Sequence, residues 1–380
     1  MHGKPLLRRR TVLAGGASAV IALPRLGRAD GADIVVGQIG PFTGMPAPDA
    51  VHLNQGIKAA LAQINAAGGV NGRPLALFEL DDGYKDEGFV RQFDEAMKRR
   101  PVALLAPVGT RSIQRMLEDK LLDRYDVAVL DAIPGAESLR NPGHPRLFHV
   151  RAGDRQQVEG IIRHAVTLGT ARIAVVYQDV PIGKSGMAAA TDVAAGLGVK
   201  LLPILQVADG AGQLAEAAGC VMASQPQCAL LLGAPRFVAD GVAALRHAGL
   251  GGLVYALSYA PAALIRQVAG SAARGVALAQ VCPNPNGATM ALQRAFQSAM
   301  KAAGASGPYN AFHFEGYITA CVLAEGLRRA QEPTPAALVR SLRAMGEYDL
   351  GGYRVNFAKG NVGSSFVDIA IIDGSGQLVY

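Results

Sequence analysis

The residue types that most often carry catalysis occur in this sequence, but their spacing forms no catalytic signature. There is no G-x-S-x-G elbow, H-E-x-x-H pair or C-x-x-C pair, and the seven histidines are dispersed. Gly183-Lys184-Ser185 looks like the end of a phosphate-binding loop, but Gln178 stands where that loop requires its first glycine. Asp81-Asp82 could act as acid and base, although such a pair more often closes a strand and caps a turn. We therefore expect no enzyme, no cofactor and no metal site.

One loop has the chemistry of an anion site. Val108-Gly109-Thr110-Arg111 lies between a predicted strand and a predicted helix. Backbone N–H groups, the Thr110 hydroxyl and the positive end of the helix dipole would together attract a carboxylate. For Gly109 and Thr110 the alternative is a capping role. The Arg111 guanidinium could hold a carboxylate with two hydrogen bonds, but an exposed arginine in the first turn of a helix is an equal alternative.

Residues 33–84, which precede this loop, have the pattern of a strand, a helix and a second strand. Apolar runs at 34–36 and 75–80 predict the two strands. Between them, apolar residues recur at helical steps: Ile57, Leu61 and Ile64. Gly68-Gly69 ends the helix, because glycine adopts left-handed backbone angles without strain. The first loop of such a unit lies at the carboxyl end of its strand, where open α/β sheets bind ligands.

The alternation of strands and helices continues along the chain. Further strands are predicted at 102–106, 127–131, 147–150, 172–177, 200–206, 229–232, 253–256, 275–280 and 367–372. Further helices are predicted at 89–98, 112–123, 155–168, 185–196, 211–223, 237–248, 261–269, 288–303, 309–330 and 335–345. Strands separated by helices imply parallel sheets with right-handed crossovers, and the pattern restarts at Arg155. The predicted fold class is α/β, with two doubly wound parallel-sheet lobes.

The formal charge of +7 comes mostly from the first 29 residues. These residues contain six basic side chains and no acidic one, so the remainder holds 37 − 6 = 31 basic and 30 acidic residues. A nearly neutral remainder excludes nucleic-acid binding as the main function. Half of the 380 residues are hydrophobic, which suits a large core and two domains.

The first 29 residues have the features of an export signal. Arg8-Arg9-Arg10 fits a twin-arginine signal, with Arg9-Arg10 as the pair, and the apolar stretch 12–23 is too short to span a bilayer. We expect cleavage after Ala29 and a soluble protein in a periplasm. An uncleaved membrane anchor is the alternative.

Four cysteines follow the leader, at positions 220, 228, 282 and 321. Export permits a disulfide, and Cys220 with Cys228 could join the end of a helix to the next strand. Four cysteines allow three full pairings, and buried unpaired thiols are an equal alternative.

Several phrases of the sequence resemble one family of binding proteins. They are IGPFTG, INAAGGVNGRPL, DDGY, FHVRAGD, RIAVVYQD, LRHAGL and LGGYRVNF. Together they resemble the solute-binding proteins of branched-chain-amino-acid-type ABC transporters, which are Leu/Ile/Val-binding-protein-like and have the type I periplasmic binding fold. The resemblance covers the whole chain after the leader. It implies that 30–154 with 282–364 forms lobe 1 and that 155–281 with 365–380 forms lobe 2, joined by a three-crossover hinge that permits closure on a ligand.

The resemblance also implies a ligand site, from which this sequence departs. In the family the loop around Gly109 and Thr110 receives the carboxylate of the ligand. A threonine that often contacts the ligand is replaced here by Pro134, which offers neither a hydroxyl nor an N–H. In the same loop, Ile133 is a candidate contact, and Asp131 could accept hydrogen bonds from the ligand or cap the loop locally.

Two further departures fall in lobe 2. Ile182 stands where an aromatic side chain often covers the ligand, and Ser258 stands near the place of the acidic residue that holds the ammonium of amino-acid ligands. Burying an ammonium without a carboxylate is costly, so we expect a small carboxylate rather than a free α-amino acid. Phe42, Tyr84 and Tyr259 are candidate apolar walls, and for the two tyrosines ordinary surface packing is the alternative.

These expectations combine into one function. The protein is expected to capture a small organic solute between its lobes, as a monomer, and to deliver it to an inner-membrane ABC permease and its ATPases. The alternative is a periplasmic ligand sensor of the same fold without a transport role.

Overall fold

A computed structural model describes residues 1–2, 32–43, 47–208 and 211–380 of the chain. The predicted signal peptide, with Arg9-Arg10 and the cleavage site after Ala29, lies outside the described residues. Within those ranges, no helix combines the length and the apolar composition that are needed to cross a membrane.

The first sheet is built from the early part of the chain. Its strands are β1 (Ile34–Gly40), β2 (Leu75–Asp81), β3 (Ala103–Leu105), β4 (Ala128–Leu130) and β5 (Leu147–Phe148). They pair in parallel in the order β2-β1-β3-β4-β5. Strands β3 and β4 are apolar and buried along their whole length, as expected for strands covered on both faces. Parallel pairing brings the loops after β1 to β4 to one edge of the sheet.

The second sheet contains later strands and the end of the chain. Its strands are β6 (Ile173–Gln178), β7 (Leu201–Val207), β8 (Cys228–Leu232), β9 (Val254–Ala256), β10 (Val276–Gln280), β13 (Asp368–Ile372) and β14 (Leu378–Val379). Strands β11 (Tyr348–Asp349) and β12 (Arg354–Val355) form a separate antiparallel hairpin. The sheet order is β14-β13-β10-β9-β8-β6-β7. Strands β6 to β10 are parallel, whereas β13 and β14 are antiparallel additions at one edge. The predicted α/β class with two parallel-sheet lobes is confirmed.

Helices cover these sheets and connect the strands. They are α1 (Ala47–Ala66), α2 (Asp86–Met97), α3 (Thr110–Glu118), α4 (Leu121–Arg124), α5 (Asp154–Thr167), α6 (Pro181–Leu197), α7 (Ala211–Ala223), α8 (Pro235–His247), α9 (Ala262–Ala269), α10 (Ala291–Ala302), α11 (Ala311–Arg329) and α12 (Pro335–Ala344). Although α10 and α11 come after the second sheet's β10 in the chain, they pack against α1. The chain therefore passes between its two halves more than once. The exact lobe boundaries given above stay a prediction.

Two glycines allow α1 and α11 to pack with their backbones in contact. A Cβ atom at Gly56 would overlap the carbonyl oxygen of His313, and a Cβ atom at Gly316 would overlap that of Leu53. Only glycine fits at such an approach. This contact fixes the part of α1 around Leu53 and Gly56 beside the first two turns of α11.

Two local features differ from simple expectations. The helix predicted at 112–123 is interrupted, because Lys120 adopts left-handed backbone angles (φ 53°) and separates α3 from α4. The four cysteines, all within the described residues, are unpaired: Cys228 and Cys282 are buried, Cys321 is half-buried and Cys220 is exposed. The alternative of unpaired thiols is thus the one that the structure shows.

Candidate functional site

A cleft opens between the two sheets, at the carboxyl ends of their parallel strands. About 440 Å³ of unfilled space lies between its walls, part of it open to the surrounding solvent. Its walls come from the loops after β2, β3 and β4, from those after β6, β8 and β9, and from α1 and α11. The lining residues are Asp49, Leu53, Tyr84, Val108, Gly109, Thr110, Ile133, Pro134, Ile182, Pro235, Tyr259 and Phe312. The fold thus brings together six of the predicted site residues: Tyr84, Gly109, Thr110, Ile133, Ile182 and Tyr259.

The amino end of α3 supplies hydrogen-bond donors to this cleft. Gly109 is the N-cap residue, with φ of 106°, a conformation that glycine adopts without strain. Thr110 is the first residue of the helix, and no side chain of the described residues caps this end. The first N–H groups of a helix have no partner within the helix. A helix end that faces a cleft in this way can bind an anion.

Asp81 and Asp82 shape the loop that carries Tyr84 rather than forming an acid–base pair. Asp81 Oδ1 accepts hydrogen bonds from the N–H groups of Phe42 (2.9 Å) and Gly83 (3.0 Å). Asp82 Oδ1 accepts one from the N–H of Tyr84 (2.8 Å), whose φ of 59° is left-handed. The alternative interpretation, in which this pair closes a strand and caps a turn, is therefore the one that the structure shows. Phe42 packs against the core and does not line the cleft.

Asp131 lies beneath the cleft and does not reach it. It is fully buried, with left-handed backbone angles (φ 62°). Its Oδ1 accepts hydrogen bonds from the N–H groups of Val150 (3.1 Å) and Arg151 (3.2 Å), and its Oδ2 accepts one from the Thr319 hydroxyl. Burial raises the pKa of Asp131, while the Thr319 hydroxyl and the Arg151 guanidinium lower it. Both of its carboxylate oxygens thus have partners within the protein, which favours the local capping role.

Ser258 also lies away from the cleft, because a buried arginine holds it. Arg151 donates from Nη2 to Ser258 Oγ, and its Nη1 lies 3.0 Å from an oxygen of Glu315. The guanidinium also lies 4.9 Å from the centre of the Tyr259 ring. Burial raises the pKa of Glu315, and the contact with Arg151 partly offsets this rise. Ser258, the position expected to lie near the ammonium of an amino-acid ligand, therefore faces the Arg151 guanidinium.

Tyr259 connects the cleft to this buried group of charges. Its ring lines the cleft, and its hydroxyl donates to Asp154 Oδ1 at 2.6 Å. Asp154 Oδ2 accepts a second hydrogen bond from the Ser185 hydroxyl (2.8 Å). A Cβ atom at Gly135 would overlap both Asp154 and Tyr259, so glycine is needed where the two halves of the molecule meet.

Arg111 lies at the outer rim of the cleft and is half exposed. Its guanidinium is 3.3 Å from a carboxylate oxygen of Asp86 and 3.3 Å from one of Glu118. These ion pairs direct the side chain along the surface of α3. The alternative of an exposed arginine in a first helical turn therefore fits its position.

Sequence reasoning missed Asp49, a carboxylate in the first turn of α1. The side chain lines the cleft and is 5 % exposed. Burial raises its pKa to about 7. An acidic residue in the first turn of a helix is common because the helix dipole favours it, so its type and position in the sequence carried no signal of a site.

A second, larger cavity shares Phe312 with the cleft. It lies beside the first turns of α9 and α11, and its lining includes His52, Ser258, Arg266 and Asn310. Some of its polar side chains have protein partners: His52 Nδ1 lies 2.7 Å from Asn310 Nδ2, and Arg266 donates to the Ser375 carbonyl. Across the part of the chain that the structure describes, no group of three or more His, Cys, Asp or Glu side chains could hold a metal ion.

Comparison with known proteins agrees with this architecture. A family model described as periplasmic binding protein matches residues 33–373. The chain is similar to an extracellular ligand-binding receptor from Verminephrobacter eiseniae, with 47 % identity over 92 % of this chain and 100 % of that one and a TM-score of 0.87. It is also similar to a substrate-binding periplasmic protein from Ralstonia solanacearum, with 28 % identity over 91 % and 99 % of the two chains and a TM-score of 0.81.

A more distant structure shows the same fold. It is a branched-chain amino acid ABC transporter protein from Thermus thermophilus with bound valine, at 17 % identity over 91 % of this chain and 94 % of that one, with a TM-score of 0.78. No protein with a curated description matches this chain.

Proposed function

The chain belongs to the periplasmic binding protein family, as its resemblance predicted, and from that membership we propose that it captures a small organic carboxylate in the cleft between its sheets. The observation that carries the proposal is the uncapped amino end of α3, where Gly109 and Thr110 face the cleft. A ligand carboxylate there would accept hydrogen bonds from free N–H groups and from the Thr110 hydroxyl. Tyr84, Ile133, Ile182 and Tyr259 would enclose its apolar part.

The surroundings of Ser258 support a ligand that is not a free α-amino acid. In place of an acidic side chain, this position has a hydroxyl that is bonded to the Arg151 guanidinium. An ammonium at the Ser258 position would be repelled by that guanidinium, and Ser258 offers no carboxylate to offset the cost of burying the ammonium there. A carboxylate without an α-ammonium avoids both costs.

The transport role rests on the relatives. Structures with this fold include substrate-binding proteins of ABC transporters, such as a fatty acid ABC transporter substrate-binding protein from Thermomonospora curvata. In this role the closed protein, as a monomer, presents its ligand to an inner-membrane permease and its ATPases. The second candidate function is a periplasmic ligand sensor of the same fold. It is supported by the name of the Verminephrobacter structure, an extracellular ligand-binding receptor.

Family membership implies a periplasmic location, and the leader supplies a route to it. In this proposal the twin-arginine signal exports the protein and cleavage follows Ala29. The lobes are 30–154 with 282–364 and 155–281 with 365–380, and three chain crossings form the hinge. Closure about that hinge would exclude water from the cleft without unfolding either lobe.

A thermal-shift screen tests the proposed ligand class. Protein purified from the periplasm would be heated with aliphatic and aromatic carboxylates, amino acids and amides. A ligand at a hundred times its Kd adds about 2.7 kcal/mol to the free energy of unfolding, which is readily seen. We expect carboxylates to stabilise and α-amino acids to have no effect. Stabilisation by leucine or valine at micromolar affinity would contradict the proposal.

A further inference from the structure

The Asp49 carboxylate is buried in the cleft without a partner among the residues that the structure describes. It is 5 % exposed, and no hydrogen bond or ion pair involves its side chain anywhere in the described ranges, so burial alone raises its pKa. Other buried carboxylates close to the cleft are bonded. Asp131 accepts two backbone N–H bonds and one hydroxyl bond, and Asp154 accepts bonds from two hydroxyls.

A structural role at the end of α1 does not account for this burial. An aspartate in a first helical turn is stabilised by the helix dipole even when it is exposed to water. Burying a carboxylate without a hydrogen bond costs free energy, since the group loses its bonds to water. The helix dipole alone therefore does not explain why the side chain faces the cleft. A group that enters the cleft with a ligand would supply the missing partner.

Asp49 and the end of α3 place opposite chemistry around one ligand space. The α3 end offers N–H donors at Gly109 and Thr110, whereas Asp49 offers acceptor oxygens. Apolar side chains, among them Leu53 and Ile133, line the space as well. A ligand that satisfied both polar groups would carry an acceptor and a donor on one apolar frame.

We propose that Asp49 is a ligand-binding residue that accepts a hydrogen bond from a hydroxyl, amide or amino group of the bound carboxylate. The inference rests on the proposed function, because it concerns the same cleft. The donor sits on the frame of the ligand, away from its α carbon, since the position that would serve an α-ammonium faces Arg151. Asp49 thus narrows the ligand class from carboxylates in general to carboxylates with a remote donor group.

Matched carboxylates test this assignment. Pentanoate, 4-hydroxybutanoate and 4-aminobutanoate have similar length and differ in their end group, as do 4-methyl-, 4-hydroxy- and 4-aminobenzoate. Kd values for each would be measured by calorimetry with the wild type, Asp49→Asn and Glu87→Gln. Glu87 is the matched control because it is an exposed carboxylate in the first turn of α2. Butylamine, which has the donor and lacks the carboxylate, completes the set.

The donor-bearing member of at least one series should bind the wild type about ten- to one-hundred-fold more tightly than its methyl analogue. Asp49→Asn should reduce this preference, because the amide oxygen is a weaker, uncharged acceptor, and Glu87→Gln should leave it unchanged. The methyl analogue should bind Asp49→Asn at least as well as the wild type, which would show that the variant folds.

Other results would overturn the inference, and they separate it from the proposed function. Equal affinity for methyl and donor analogues, or a preference that survives undiminished in Asp49→Asn, would remove Asp49 from the site while carboxylate binding stands. Binding of butylamine without binding of any carboxylate would overturn both, because the inference assigns Asp49 to a donor group on a bound carboxylate. Failure of every probe to bind would overturn both.

Discussion

Asp49 and Asp131 are both buried carboxylates, yet their surroundings are opposite. The Asp131 carboxylate accepts hydrogen bonds from the N–H groups of Val150 and Arg151 and from the Thr319 hydroxyl. The Asp49 carboxylate, which is also buried, accepts none from the described residues. The first lies in a group of paired charges beneath the cleft, and the second lies on the wall of the cleft. A buried charge with protein partners holds the structure together, and a buried charge without them is available to a ligand.

The paired charges join distant parts of the chain. Arg151 contacts Glu315 of α11 and Ser258 of the loop after β9, and its ring contact is with Tyr259. We call this set, with Asp131, the Arg151 cluster. Its members lie where the two halves of the molecule meet, so we expect substitutions there to affect folding first and ligand binding second.

The largest effect should come from Arg151→Met, which removes the guanidinium that pairs with Glu315. Removing one partner of a buried ion pair typically costs about 3–5 kcal/mol. Denaturant unfolding of the unliganded protein would measure this loss. Arg163→Met is the control, because Arg163 pairs with Glu159 on the exposed face of α5; a surface pair contributes about 0–1 kcal/mol. Equal losses in the two variants would remove the distinction between the Arg151 cluster and the surface.

Asp49→Asn should act in the opposite direction and stabilise the unliganded protein above neutral pH. The pKa of Asp49 is about 7 in the folded protein, above its ordinary value of 3.8. The folded state therefore holds the proton more tightly, and the stability of the wild type falls as pH rises from about 4 to about 7. Three pH units correspond to roughly 4 kcal/mol as an upper limit.

The measurement is the free energy of unfolding against pH for the wild type and Asp49→Asn. The Asp49 carboxylate also raises the pKa of Tyr84 and of Glu315, the titratable groups that face it from the loop after β2 and from α11. The difference between the variants should grow between pH 4 and pH 7 and then level off. A difference that is constant across this range would contradict an unpaired, buried Asp49.

Thr110→Val should weaken carboxylate binding about five- to thirty-fold. The hydroxyl is lost, while the backbone N–H groups at the end of α3 remain; a hydrogen bond to a charged group contributes about 1.5–3 kcal/mol and a neutral one about 1 kcal/mol. Calorimetry with the carboxylate that gives the largest thermal shift would measure it. Thr167→Val is the control, since the Thr167 hydroxyl bonds only to the Arg163 carbonyl of its own helix. An unchanged Kd in Thr110→Val would place the carboxylate elsewhere.

Arg111→Ala should have the smallest effect, less than about threefold on Kd. Its guanidinium pairs with Asp86 and Glu118 at the surface, where long-range attraction to a ligand is weak and screened by salt. A loss greater than tenfold would return Arg111 to the site as a direct ligand of the carboxylate.

The sequence predicted what depends on local patterns. The alternation of apolar runs and helical periods predicted the α/β class, and the strand–loop–helix pattern around Gly109 and Thr110 predicted the donor end of the cleft. Both follow from short-range chemistry. The antiparallel edge formed by β13 and β14 was not predicted, because its direction depends on where the chain returns to the second sheet.

Side-chain direction could not be predicted in the same way. Asp131 ends a strand, as expected, but its left-handed backbone turns it toward the Arg151 N–H. Ser258 points to a guanidinium that lies 107 residues away in the chain. Asp49 is buried in a cleft whose wall includes Phe312 of α11. Each outcome depends on long-range packing that no local pattern encodes.

A crystal structure with the strongest stabilising carboxylate bound would test the central claim most directly. The account predicts carboxylate oxygens at hydrogen-bonding distance, about 3 Å, from the N–H groups at the end of α3, with a donor of the ligand on Asp49. A ligand in the second cavity, beside His52 and Arg266, would contradict it, as would a carboxylate that leaves Gly109 and Thr110 untouched.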